Sequence, residues 1–252
     1  MTTLSNDDLR TKVDTRLNAM IEQFYTTVPN GRYQLDSREI NLEYYKRHSI
    51  ETILRIRHKR MIDALVIHYF TKHDPKQAKA WANYIEDEML HGHLFAKDIE
   101  RLFGLTIDEI YAHEPLFATK LLNGYFYFTL EHEGPMASLV SAYFLEYTTR
   151  MTQPQWLDNL ESIFGKDAIR GARAHVNHDI KENHSVFVWN VLRSTVKTPE
   201  DEVKLLQHLE NIYGLFAAYF TELHNITFKN AGITVGNTVP VAAIDNATLA
   251  SA

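Results

Sequence analysis

The chain has 252 residues, with 26 Lys and Arg against 32 Asp and Glu, a formal charge of −6. It holds 13 His and no Cys, which excludes disulfide frameworks, thiolate zinc sites, iron–sulfur clusters and cysteine nucleophiles. The acidic balance offers no broad basic face for nucleic acid, no apolar run reaches membrane-spanning length, and the N-terminal segment lacks a signal-peptide core, so a cytoplasmic protein without nucleic-acid or membrane partners is expected.

Helical periodicity governs nearly the whole chain. Ser5-Asn6-Asp7-Asp8 reads as a capped start, followed by Leu9, Val13, Leu17, Met20, Ile21 and Phe24 at spacings of three and four. A second helix is expected from Asp36 or Ser37 towards Lys72. Asp74-Pro75 then stops one helix and caps the next, which is expected to reach Phe103 and end at Gly104. A short helix over 106–113 follows, then one from Pro115 to Glu133, interrupted by Gly134-Pro135 and resumed through Tyr147. Residues 154–164 read as a separate short helix ended by Gly165, and 167–196 as one long helix. Thr198-Pro199-Glu200-Asp201-Glu202 opens the last helix, to Phe228, with a cap, a proline at the first position and three acids on the dipole. With neither repeat nor linker, seven to nine helices suit a single all-α domain over 1–228, followed by an irregular tail over 229–252.

Two histidine clusters stand out from the remaining histidines, which read as packing or surface. In the run 84–93, Glu86 and His93 point within about 20° of each other, while Glu88 and His91 share the opposite side, so a continuous helix offers only one pair to the interior. Glu86 and His93 lie about 10.5 Å apart along the axis, so they would flank two ions about 4 Å apart rather than share one. In the run 174–184, His175, His178, Asp179 and Glu182 share a face, and His184 joins them only through a local distortion. Imidazole and carboxylate without thiolate suit iron, manganese or zinc. Glu146, inside Ser141-Ala142-Tyr143-Phe144-Leu145-Glu146-Tyr147, is an acid in an apolar run and needs a partner, either Arg150 one turn on or a metal; Glu131 and Glu133 are the reserve.

The Glu86-x6-His93 spacing, followed by Leu102-Phe103-Gly104-Leu105, resembles the heme-oxygenase-like diiron oxidases, which share a fold with the TenA and PqqC proteins and include the CADD proteins. The family pattern is Glu-x6-His, a Glu on a later helix, then His-x3-Asp-x2-His. Carried over, it falls on Glu86, His93, Glu146, His175 and Asp179. Its final His falls at Glu182, a departure; His184 lies two residues later, and a register through His178 and Glu182 is the alternative. The resemblance implies a heme-oxygenase-like bundle holding two Fe(II) ions, the second weakly, with O2 as co-substrate and the metal ligands as the catalytic groups. It implies an oxidase or oxygenase acting on an amino acid or aromatic amine by N-oxygenation, C–C cleavage or nitrile formation. Tyr127, Tyr147 and Phe187 are expected to line the substrate pocket, and Arg55, Arg57 and Arg60 are candidates to hold a substrate carboxylate. Within the same fold, thiaminase chemistry needs a Cys, and heme binding needs a glycine-rich distal helix that Gly124 and Gly134 do not supply. The competing readings are a cofactor-free PqqC-like oxidase and a non-enzymatic helical protein that binds a partner. A homodimer is expected.

Overall fold

The computed structural model describes residues 5–229. In chain order the helices are α1 (Asn6–Thr27), α2 (Tyr33–Asp36), α3 (Leu42–His73), α4 (Pro75–Glu88), α5 (His91–Phe103), α6 (Ile107–Tyr111), α7 (Phe117–His132), α8 (Met136–Phe164), α9 (Arg170–Glu182), α10 (His184–Thr195) and α11 (Pro199–His224). A 3-10 turn, Lys166–Ile169, precedes α9, and a π-helical turn, Asn225–Lys229, follows α11. No strand occurs among the described residues, and none of their helices is long and apolar enough to cross a membrane. The expected tail, 229–252, lies outside the described residues apart from Lys229.

Several helix ends follow from local chemistry. Ser5 accepts from Asp8 N, Asp74 from Lys76 N and Gln77 N with Pro75 behind it, and Thr106 and Thr198 each close a capping box. Gly104 ends α5 in the left-handed conformation. Three expectations fail. The helix expected over 75–103 is broken at Met89-Leu90, and the one expected over 167–196 is broken at Asn183. Residues 136–164 form one helix with Pro154 inside it, because Trp156, Leu157 and Leu160 continue the buried face. These changes, with the extra turn α2, give eleven α-helices among the described residues rather than seven to nine.

The long helices α3 and α8 organise the bundle. α4, α5 and α7 pack on α3, while α9, α10 and α11 pack on α8. One apolar core joins α1, α4, α7, α10 and α11 through residues such as Leu17, Trp81, Phe126, Trp189 and Leu209. A smaller one joins Ile40 and Tyr45 to Leu157, Leu160, Ile169 and Val176. A cavity of about 290 Å³ lies between them, bounded by Met20, Phe126 and Phe144 from the first and by Tyr45, Leu160 and Val176 from the second.

Acids on neighbouring helices fix two helix starts from outside. Glu51 accepts from Leu116 N at 3.0 Å and Thr119 Oγ1 at 2.6 Å, and Glu222 accepts from Phe117 N and Ala118 N, so α7 is capped by α3 and α11. Asp98 of α5 accepts from Gly171 N and Ala172 N, both at 2.8 Å, and holds the first turn of α9. At Gly171 a Cβ would lie 2.0 Å from the Leu94 backbone oxygen and 3.0 Å from Asp98 Oδ1. Gly171→Ala is therefore expected to destabilise the protein by about 2 kcal/mol or more, as overpacking that moves backbone does. Thermal unfolding checks it, with Gly124→Ala inside α7, where a Cβ meets nothing within 4 Å and Ala is favoured by about 1 kcal/mol, as the clash-free comparison expected to hold or raise stability.

Candidate metal centre

The two helix breaks meet at one end of the cavity. Glu88 closes α4 and His91 opens α5, with His93 N bonded to Leu90 O across the break. Asn183, at φ +54°, ends α9 four residues after Asp179, and His184 starts α10. On an uninterrupted helix His184 would point about 140° away from Asp179. The left-handed residue turns it inward, the distortion that His184 required. Asn is among the few residues that tolerate this conformation.

Glu88 lies at the centre. Its Oε2 is 3.1 Å from His91 Nδ1 and its Oε1 is 3.2 Å from His184 Nδ1. His175 Nδ1 lies 2.8 Å from Asp179 Oδ2, and His184 Nδ1 is 3.6 Å from Asp179 Oδ1 and 3.8 Å from Glu146 Oε1. Two ligand groups follow, each with its donor atoms within 4.8 Å of one another: Glu88, His91, His175 and Asp179, and Glu88, Glu146 and His184. Glu88 belongs to both. A third group of this kind, Asp87, His178 and His184, flanks them.

Five polar atoms in this space are buried without a hydrogen bond: Glu88 Oε1, His91 Nδ1, His175 Nδ1, Asp179 Oδ1 and His184 Nδ1. Buried polar groups are normally paired, so five convergent exceptions require a common partner. A cation fits, since every one of these atoms can donate a lone pair and three of the side chains are imidazoles. Surrounding groups aim the ligands. Asp87 Oδ2 lies 2.8 Å from His184 Nε2 and 2.9 Å from His178 Nε2, so His184 can keep its proton on Nε2 and turn the Nδ1 lone pair inward. Tyr84 donates from its hydroxyl to Glu146 Oε1 at 2.6 Å.

Without a cation the carboxylates repel. Burial, then Glu88 and Asp179, push the Glu146 carboxyl up to about 8. Burial disfavours the charged form of His184, but Glu88, Glu146 and Asp179 outweigh it and push the imidazole up to about 9. Burial also opposes ionisation of Glu88, yet His184, His91 and Arg60 hold its carboxyl well below the usual range.

The structure brings Glu146, His175, Asp179 and His184 together and leaves other expected residues outside. Glu86 and His93 are exposed, on the face of α4 and α5 opposite the core. The buried face is Ala78, Trp81, Tyr84, Ile85, Glu88, His91, Gly92, Ala96 and Ile99, and this apolar period carries Glu88 and His91 inward. That periodicity was the available signal, and the Glu-x6-His spacing competed with it. Glu182 is exposed beside Lys181 at 3.2 Å. His178 faces Asp87. Arg150 is exposed and makes no ion pair with Glu146, while Glu131 and Glu133 are exposed, Glu133 standing 3.6 Å from His208.

The aromatic expectations also change. Tyr127, Tyr147 and Phe187 do not line the cavity. Tyr127 projects from the outer face of α7, Tyr147 donates to Asn18 at 3.0 Å, and Phe187 stacks behind Tyr84. Phe24, Phe95, Phe126, Trp156, Phe216 and Phe220 line it instead.

No protein-family model and no curated protein matches the sequence. Solved structures match the fold. A domain of unknown function with a heme oxygenase-like fold from Shewanella denitrificans OS217 superposes with a TM-score of 0.77 at 21% identity, over 91% of this chain and 98% of that one. A CADD-like protein of unknown function from Nostoc punctiforme PCC 73102 gives 0.63 at 14% identity, over 86% and 99%. The chain is an all-α protein, as its helical pattern predicts, and its heme oxygenase-like fold is the one the family resemblance implies.

The titrations of Glu146 and His184 act in the same direction in metal-free protein. The carboxyl, raised from 4.5 to about 8, and the imidazole, raised from 6.5 to about 9, both bind a proton more tightly folded than unfolded. The stability they contribute is complete at low pH and is lost as pH rises, for Glu146 from 4.5 through 8 and for His184 from 6.5 through 9. The melting temperature of metal-free protein is expected to fall between pH 6.5 and 9, and Glu146→Gln to flatten that decline. A level profile in the wild type would overturn this reading.

Proposed function

We propose that the protein is an O2-activating non-heme diiron oxidase or oxygenase acting on a small molecule. The observation that carries this reading is the convergence of five buried ligand atoms without hydrogen bonds on two overlapping groups that share Glu88. His91, His175 and Asp179 would hold one ion and Glu146 and His184 the other, with Glu88 within reach of both. When bound, paired Fe(II) would supply the electrons and the open coordination needed to reduce O2. The chain's own residues do the rest.

Asp87 orients His184, and the Tyr84 hydroxyl fixes the Glu146 carboxylate. Arg60, with Nη1 at 3.7 Å from Glu88 Oε2, offsets part of the negative charge from the cavity side. The cavity lets a substrate of modest size reach Glu88, Glu146, His175 and Asp179, which stand in its wall. Its aromatic lining excludes water from the reacting end and favours a substrate with an apolar body, which accords with an amino acid or aromatic amine.

Anaerobic loading with Fe(II), followed by iron analysis and by addition of O2, tests the proposal. The wild type is expected to bind about two irons per chain, the stoichiometry of a paired-metal site, and to give an absorbance transient with O2. Glu88→Ala and His184→Ala are expected to lose iron, while Glu86→Ala and His93→Ala retain it. Fewer than one bound iron, even with substrate present, would leave a cofactor-free oxidase as the better reading. Asp87→Asn, which keeps every ligand but alters the partner of His184, is expected to weaken iron binding about 10- to 100-fold in competition with a chelator.

A further inference from the structure

The inner wall of α3 carries three cations into the cavity, Arg55, Lys59 and Arg60. Two have carboxylate partners: Lys59 pairs with Asp63, and Arg60 lies 3.8 Å from Asp63 and 3.7 Å from Glu88. Arg55 has none among the described residues. Its Nη2 donates to Thr52 Oγ1 at 3.0 Å, its guanidinium lies 4.0 Å from the centre of the Tyr219 ring, and its Nη1 is buried without a hydrogen bond. Aromatic faces and a hydroxyl offset a buried cation only in part. The nearby ionisable groups add no uncommitted anion. His48 bonds to the Tyr219 hydroxyl and is held neutral by burial and by Arg55 itself, and Glu51 is committed to Arg47 and the start of α7.

We infer that Arg55 is the anchor for a substrate carboxylate, and that the substrate is a carboxylic acid with an apolar body lying along the cavity from Arg55 to the metal ligands. Arg55 and Arg60 are five residues apart on α3, about 7.5 Å along the axis and about 140° apart in direction, yet both line the cavity, and Arg60 lies 3.7 Å from Glu88. Glu88 and Glu146 stand in the wall of the same cavity, so a carboxylate on Arg55 leaves the apolar body of the substrate in the space these ligands border. The planar guanidinium suits a carboxylate, which can occupy the unpaired Nη1 together with an adjacent N–H. Of the other candidate anchors, Arg57 is exposed and stacks on Tyr111 outside the cavity, and Arg60 is already shared between two acids. As a statement about the substrate of the proposed oxidase this rests on that reading; the anion site itself does not.

Titration calorimetry on metal-free protein with 3-phenylpropionate and its neutral amide, 3-phenylpropanamide, tests the inference. The wild type is expected to bind the carboxylate about tenfold or more tighter than the amide, as for a charge-assisted hydrogen bond in a buried site. Arg55→Gln is expected to abolish the preference, Arg55→Lys to weaken carboxylate binding while sparing the amide, and Arg57→Gln to change neither. Should Arg55→Gln not fold, the Arg55→Lys comparison decides. Failure of the wild type to bind either probe or to prefer the carboxylate, or persistence of the full preference in Arg55→Gln or Arg55→Lys, overturns the inference. Iron content measured on the same samples separates the two readings. A carboxylate preference in a chain that takes up no iron keeps the anion site and removes the oxidase, and iron uptake without the preference does the reverse.

Discussion

The burial of Glu88, Glu146 and Asp179 against one another is the constraint on which the site depends. Each comes from a different helix, and a buried carboxylate is tolerated only with a partner that matches its charge. Other buried acids have such partners: Glu51 takes Arg47 and the first turn of α7, Asp63 takes Lys59, and Asp98 takes the first turn of α9 and Arg101. The three at the cavity end have imidazoles, Arg60 and one tyrosine hydroxyl, and they leave buried donor atoms over. A site made this way is poorly matched when empty and well matched when a cation fills it. Stability and metal binding are then linked through the same protons.

Both helix breaks serve that convergence. A straight helix sends residues five apart to different sides, so Asp179 and His184 can face one space only if the chain resets between them, as it does at Asn183. The break after Glu88 opens α5 at His91, which turns its imidazole back towards Glu88. The anchors lie nearby. Asp98 pins the start of α9 to α5, so the segment bearing His175 and Asp179 is tied to the helix bearing His91.

The cavity exists because α3 and α8 carry two separate apolar cores with an incompletely filled space between them. Its wall sorts by charge. Carboxylates and imidazoles stand at one end, and Arg55 and neutral His48 mark another stretch of α3, backed by Tyr219 of α11. A molecule with one anionic group and an apolar body complements both, which joins the metal site and the anion site into one binding space.

The sequence by itself determined the helical class, the capped helix starts such as those of α4 and α11, and the chemistry available to the site. Capping and proline signals act within a few residues, and the absence of Cys leaves only imidazole and carboxylate as strong ligands. Glu146 was legible because an acid inside an apolar helix is costly wherever that helix packs, and His175 and Asp179 because they share a turn. Tertiary structure decided the rest. Glu88 and His91 rather than Glu86 and His93 face inward because the face with Trp81 and Ile85 packs on the core, and a charge spacing carries no information about which face that is. His184 joins and Glu182 does not because of one left-handed residue, a local event that periodicity averages away. Arg55 was one arginine among three until packing placed it in the cavity wall without an ion pair to any described carboxylate. A side chain's pairing depends on what other helices bring to it, which no spacing within its own helix records.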